Sequence, residues 1–154
     1  MKKSLLAISL SFASVSLMAA TSGSLLIKGT VPQNLSIIIT PLAIASNLPL
    51  DTSQTDTQIA TVNEKSNSNT GYKVNINSAN SGNLKRVSGN DLFAYSMKYN
   101  GAGLNLASPV DITYGGASHV NLNRNVTISY TGQPSDQMIA GDYTDTVTFT
   151  ISAI

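Results

Sequence analysis

The final twelve residues, Tyr143-Thr-Asp-Thr-Val-Thr-Phe-Thr-Ile-Ser-Ala-Ile154, alternate apolar and polar side chains along most of their length. Val147, Phe149, Ile151 and Ala153 share one face, and Thr146, Thr148, Thr150 and Ser152 the other. A helix with one buried face repeats every 3.6 residues, so a period of two specifies a strand with one side in a core. Tyr72, Val74 and Ile76 oppose Lys73, Asn75 and Asn77 in the same way, and Val126, Ile128 and Tyr130 oppose Thr127 and Ser129. The pattern predicts Val74, Ile76, Val126, Ile128, Val147, Phe149 and Ile151 buried. The polar faces carry Thr, Ser and Asn rather than Lys or Glu, which leaves such strands poorly protected against edge-to-edge association.

Strands are expected at Leu25–Val31, Leu35–Thr40, Ile59–Lys65, Tyr72–Asn77, Leu92–Tyr99, Val126–Thr131 and Tyr143–Ala153, with weaker candidates at Leu104–Leu106 and Val110–Tyr114. Turn clusters rich in Asn, Gly and Ser separate them, notably Ser66–Gly71, Ser78–Asn83 and the hairpin signal Asn100-Gly101. Pro41 to Thr57 reads as a long edge loop or as a loop holding a short strand near Leu48-Pro49-Leu50. With no helix of useful length in view, short strands at this spacing imply an all-β sandwich. In immunoglobulin-type sandwiches a tyrosine near the start of the penultimate strand bonds back across the corner. With Tyr143 at that corner, the sandwich is one strand short at Ile154. The missing strand would leave core and backbone uncovered, and another segment must supply cover.

Lys2 and Lys3 precede an apolar, small-residue run from Leu5 to Met18 that ends in Ala19-Ala20, the pattern of a secretory signal peptide over residues 1–20. Cleavage there predicts an exported chain of residues 21–154, the size of one domain. Losing Lys2 and Lys3 leaves seven of the nine basic residues against eight acidic ones. A charge near −1 offers no electrostatic case for nucleic acid or an anionic membrane. The chain contains no cysteine, which excludes disulfides, thiolate chemistry and Cys-ligated metal.

Little in the sequence points to catalysis. His119, the single histidine, stands beside Ser118, but neighbours on an extended chain point apart, and there is no Gly-x-Ser-x-Gly elbow. Glu64 is the only glutamate, so a carboxylate pair would depend on aspartates. Asp142 and Asp145 lack calcium-loop spacing and are expected to cap turns and face water. Lys28 and Lys73 are formal candidates for an intramolecular amide, but no spacing selects a partner. Asn34-Leu-Ser and Asn125-Val-Thr match the glycosylation sequon, a pattern common in an Asn-rich chain. Gly101-Ala-Gly103 is an incomplete phosphate-binding pattern in an all-β setting. There is no tryptophan, and a sugar-binding loop such as Tyr95–Asn105 is not indicated. The expectation is a non-enzyme without cofactor or metal.

Ahead of Pro32, Leu25, Ile27, Gly29 and Val31 fall on one face, and Ser24, Leu26, Lys28 and Thr30 on the other. Pro32 breaks this strand from the next. An alternating segment set off by a proline suits donation to another molecule, but the pattern alone favours the first strand of its own sheet.

The runs Leu26-Ile-Lys-Gly-Thr-Val-Pro-Gln-Asn-Leu-Ser-Ile-Ile-Ile39, Asn69-Thr-Gly-Tyr-Lys-Val74 and Ala140-Gly-Asp-Tyr-Thr-Asp-Thr-Val-Thr-Phe-Thr-Ile151 resemble bacterial chaperone–usher pilins. The likeness is to the alternate-chaperone and archaic branches, including the spore coat protein U-like group. Many archaic-branch members carry a disulfide, and this chain has none. The resemblance implies an incomplete immunoglobulin-like β-sandwich over residues 32–154, completed by donor-strand exchange. It implies three partners: a periplasmic chaperone that fills the groove in transit, an outer-membrane usher, and other pilin subunits. The product would be a surface fimbrium serving adhesion. Carried over by residue, Leu25, Ile27, Gly29 and Val31 are donor positions, and Val147, Phe149 and Ile151 line the acceptor groove. The alternative is a self-contained secreted β-sandwich that binds a glycan or host surface, with Leu25–Val31 paired in its own sheet.

Overall fold

The computed structural model describes residues 21–154, so the expected signal peptide, residues 1–20, lies outside the described residues. The described chain is all-β, with eleven strands. They are β1 (Leu35–Pro41), β2 (Gln54–Ser66), β3 (Gly71–Ser78), β4 (Asn83–Arg86), β5 (Leu92–Ala94), β6 (Ser96–Tyr99), β7 (Ala102–Leu104), β8 (Val110–Gly115), β9 (Val120–Tyr130), β10 (Tyr143–Thr144) and β11 (Val147–Ala153). Short 3-10 turns at Ala43–Ser46 and Ser135–Gln137 are the only helical pieces among the described residues. The strands form three antiparallel sheets, ordered β1-β2-β9-β6-β7, β11-β3-β8 and β10-β4-β5.

The first two sheets bury a common core. Ala60 and Val62 of β2, Met97 and Tyr99 of β6 and Val126 of β9 meet Tyr72, Val74 and Ile76 of β3. A second cluster of Leu84, Phe93, Ile128 and Tyr130 lies under the third sheet, with the Phe93 and Tyr130 rings edge to face at 5.3 Å. Leu48 and Leu50 pack against it from a loop, so the strand considered near Leu48-Pro49-Leu50 does not form.

Alternation holds where it predicts Val74, Ile76, Val126 and Ile128 buried. Val147, Phe149 and Ile151 are only half-buried, contrary to the expectation of full burial. The physical reason is that β11 is an edge strand, covered on one flank by β3 and open on the other.

Two expected strands are divided. Leu92–Tyr99 switches sheets at Tyr95, where β5 joins β4 and β6 joins β9. Tyr143–Ala153 breaks at Asp145, whose carboxylate accepts from Ser78 Oγ (2.6 Å), the Asn80 N–H (3.0 Å), Tyr95 Oη (2.6 Å) and the Thr146 N–H (2.8 Å). Burial, followed by the bond to Asp145, pushes the Tyr95 hydroxyl pKa well above its ordinary value. Asp145 therefore caps the break as expected, but half-buried rather than facing water. At the hairpin signal, Asn100 (φ 49°) and Gly101 (φ 82°) form the positive-φ turn between β6 and β7. Gly71 is required by close approach: at φ 114°, a Cβ there would stand 2.3 Å from the Tyr114 carbonyl oxygen.

Tyr143 donates from Oη to the Ile139 carbonyl four residues upstream at 2.9 Å. Tyr143→Phe removes this bond while keeping the ring on the second cluster. The expected cost is about 0.5–1.5 kcal/mol, read as a lower midpoint in denaturant unfolding with an unchanged slope.

Leu25–Val31 does not form a strand of its own sheet. Residues 21–34 join no ladder and every one is exposed. The body begins at Pro32. The Asn67 side chain fixes this start, donating to the Pro32 carbonyl (2.9 Å) and accepting from the Asn34 N–H (2.5 Å).

Candidate functional site

Two strand edges of the body run side by side without pairing. β1 bonds only β2, β11 bonds only β3, and β1 packs beside β11 with no ladder between them. The backbone phase of each edge follows from the bonds at its ends. The Ala79 N–H donates to Thr146 O (3.0 Å) and the Ile154 N–H to Gly71 O (3.4 Å). Bonded positions alternate in an antiparallel pair, so Thr148, Thr150 and Ser152 address β3 while Val147, Phe149 and Ile151 turn their N–H and C=O groups to the open flank. On β1, the Asn67 N–H donates to Asn34 O (3.2 Å) and the Leu42 N–H to Ile59 O (2.8 Å). By the same phase, Leu35, Ile37 and Ile39 turn their backbone groups outward.

Of these six residues, all but Ile39, which is exposed, also send their side chains to the core. Leu35, Ile37, Val147, Phe149 and Ile151 all pack against the main cluster while staying half-exposed. The Phe149 ring lies 5.9 Å from that of Tyr99. The result is an apolar seam bordered by two rows of unsatisfied backbone donors and acceptors. β11 (VTFTISA) has no charge and no proline, and β1 (LSIIITP) has no charge and one terminal proline. Natural edge strands are normally blunted by such residues. An open cavity of about 700 Å³ lies between the chain leaving β1 and the chain entering β11, with Leu48, Leu50, Leu84 and Met138 among its walls.

The N-terminal segment has the complementary character. Leu25 is 84% exposed, Ile27 85% and Val31 83%, on an unpaired extended chain. Gly29 shares their phase and has nothing within 4 Å of where a Cβ would stand. Lys28, between them in sequence, is exposed.

The residues considered for chemistry are scattered. His119 is exposed in the loop between β8 and β9. Lys73 pairs with Asp111 at 2.8 Å on the outer face of its sheet, where the Lys73 and Asn75 bonds hold the Asp111 carboxyl below its usual range. Asp142 and Asn34 are exposed, and Asn125 accepts from Gln58 Nε2 (3.3 Å). Among the described residues, no group of three His, Asp or Glu is placed to hold a metal, and no helix is long and apolar enough to cross a membrane.

One cluster escapes the sequence reading. Glu64 is 0% exposed and stands between the five-stranded sheet and the β11-β3-β8 sheet. Its carboxylate accepts from Tyr72 Oη of β3 (2.7 Å), from Tyr99 Oη of β6 and from Arg124 Nε of β9 (3.3 Å). The Arg124 guanidinium lies 5.1 Å over the Tyr114 ring, which stacks on Tyr72 at 4.8 Å. Burial, followed by the bond to Glu64, pushes the Tyr72 hydroxyl up to about 12. The available signal was phase: Glu64 shares the inward register of Ala60 and Val62, and Arg124 that of Val126 and Ile128.

The chain matches no protein-family model and no curated protein.

Proposed function

We propose that this protein is a structural subunit of an extracellular fibre, each subunit completing an incomplete immunoglobulin-like sandwich with the N-terminal strand of its neighbour. The observation that carries the reading is a pair of incomplete parts in one chain. One is an unpaired alternating segment with Leu25, Ile27 and Val31 exposed, and the other is an apolar seam bounded by the free edges of β1 and β11. Strand addition matches the two: ladder bonds supply affinity, and alternate side chains entering the seam supply specificity. Burying three aliphatic side chains contributes about 5–9 kcal/mol at about 1.5–3 each, comparable with a domain's net stability of about 5–15 kcal/mol. A lone subunit is then marginal and a polymerised one robust. In this reading the chain passes through the periplasm, where a chaperone strand covers the seam until an outer-membrane usher exchanges it for the next subunit's segment. It acts through assembly rather than catalysis.

The test is self-complementation. A copy of Ser24–Val31 joined after Ile154 by a flexible linker is expected to fill the seam of its own subunit. The product should be a monomer by light scattering, with a raised melting temperature. A wild-type chain that is already a stable monomer and ignores the added copy would overturn the proposal.

A further inference from the structure

We propose that the Glu64 network is a spacer that holds the acceptor seam open for an incoming strand, which makes Glu64, Tyr72 and Tyr99 positioning residues for strand capture. The inference rests on the strand-addition reading above. Glu64 on β2 bonds Tyr72 on β3, and Arg124 on β9 covers Tyr114 on β8, so both ties cross from the five-stranded sheet to its partner. The network reaches the seam directly. Ile37 of β1 is the cross-strand partner of Glu64, and Phe149 of β11 packs on the Tyr99 ring.

A seam without its strand has apolar walls on both sides, and those walls gain by collapsing on each other. Aliphatic side chains can repack to allow this. A buried carboxylate held by two hydroxyls and a guanidinium has few alternatives, because moving any partner leaves a desolvated polar group unsatisfied. Every buried polar side-chain atom among the described residues has a partner, so the network is complete as it stands. It costs desolvation that an all-apolar core would avoid, and it returns a fixed spacing between the sheets beneath Leu35, Ile37 and Phe149.

The experiment uses the full chain carrying Ile27→Asp, so that its own segment cannot compete, and a fluorescent peptide of residues Ser24–Val31. Tyr72→Phe and Tyr99→Phe each remove one hydroxyl and keep the ring. Each is expected to leave a folded chain that binds the peptide about tenfold or more weakly. Glu64→Gln, which keeps the size and one acceptor oxygen, should retain more binding than Glu64→Leu. Donation separates this role from general destabilisation: Tyr72→Phe with an intact Ile27 should still give its segment to an Ile27→Asp acceptor as wild type does. Equal peptide affinity with and without the tyrosine hydroxyls would overturn the spacer while leaving strand addition standing. Failure of the Ile27→Asp chain with Glu64, Tyr72 and Tyr99 intact to bind the peptide would remove strand addition, and the spacer's role with it.

Discussion

Deletion of Thr21–Val31 is expected to abolish fibre growth while leaving a body that a strand-donating chaperone still captures. The body from Pro32 onward contains all three sheets, the core and the seam, and none of its ladders uses a residue before Leu35. On the strand-addition proposal, removing the segment removes what would be donated and keeps what would accept. Ile27→Asp should act similarly with a single change. Ile27 is 85% exposed in the chain, so the substitution costs the isolated subunit little. On donation the carboxylate would have to enter an apolar seam, at a cost of several kcal/mol, and about 4 kcal/mol corresponds to a roughly thousandfold loss of affinity. Phe149→Ala should separate the two proposed roles from the other side: it opens the wall beside Tyr99 and is expected to weaken chaperone capture as well as polymerisation. Electron microscopy of fibres and co-purification with a chaperone read the two effects independently. Normal fibres from the truncated chain would end the strand-donation reading.

The all-β character and much of the core were legible because strand periodicity is a local signal. Val74, Ile76, Val126 and Ile128 are buried as their phase requires. Local alternation cannot identify the neighbour of a strand. Leu25–Val31 and Leu35–Thr40 are both expected strands, yet only the second pairs within the body. The same limit applies to β11: its phase places Phe149 inward, but its half-exposure comes from the open flank, which is a property of topology. β9 begins at Val120, well before the expected Val126, because Asn121, Asn123 and Asn125 resemble loop residues in sequence. In the sheet, Asn121 and Asn123 accept from Asn63 Nδ2 across to β2, at 3.0 and 2.8 Å. The division of Leu92–Tyr99 between two sheets depends on contacts with β4 and β9 that no local window contains.

Glu64 is where local reading and tertiary structure diverge most, and its removal should be the most damaging single change to the body. Glu64→Ala leaves the Tyr72 and Tyr99 hydroxyls and the Arg124 guanidinium without their shared acceptor, beneath a core in which Glu64 itself is fully buried. Breaking a buried pair by removing one member costs about 3–5 kcal/mol, against a total of about 5–15 kcal/mol for a domain. The midpoint in denaturant should fall sharply at neutral pH. The alkaline limb gives a second, independent signature. The Tyr72 hydroxyl is pushed up from 10 to about 12 by burial and then by the bond to Glu64. Between those values the folded chain keeps a proton that the unfolded chain releases, so stability is fully present below pH 10 and declines as pH rises toward 12. Without the carboxylate, the part of that shift caused by Glu64 disappears. Unfolding curves for wild type and Glu64→Ala should therefore be far apart at pH 8 and closer at pH 11. A gap that stays constant across this range would show that the carboxylate does not act through the tyrosine hydroxyls.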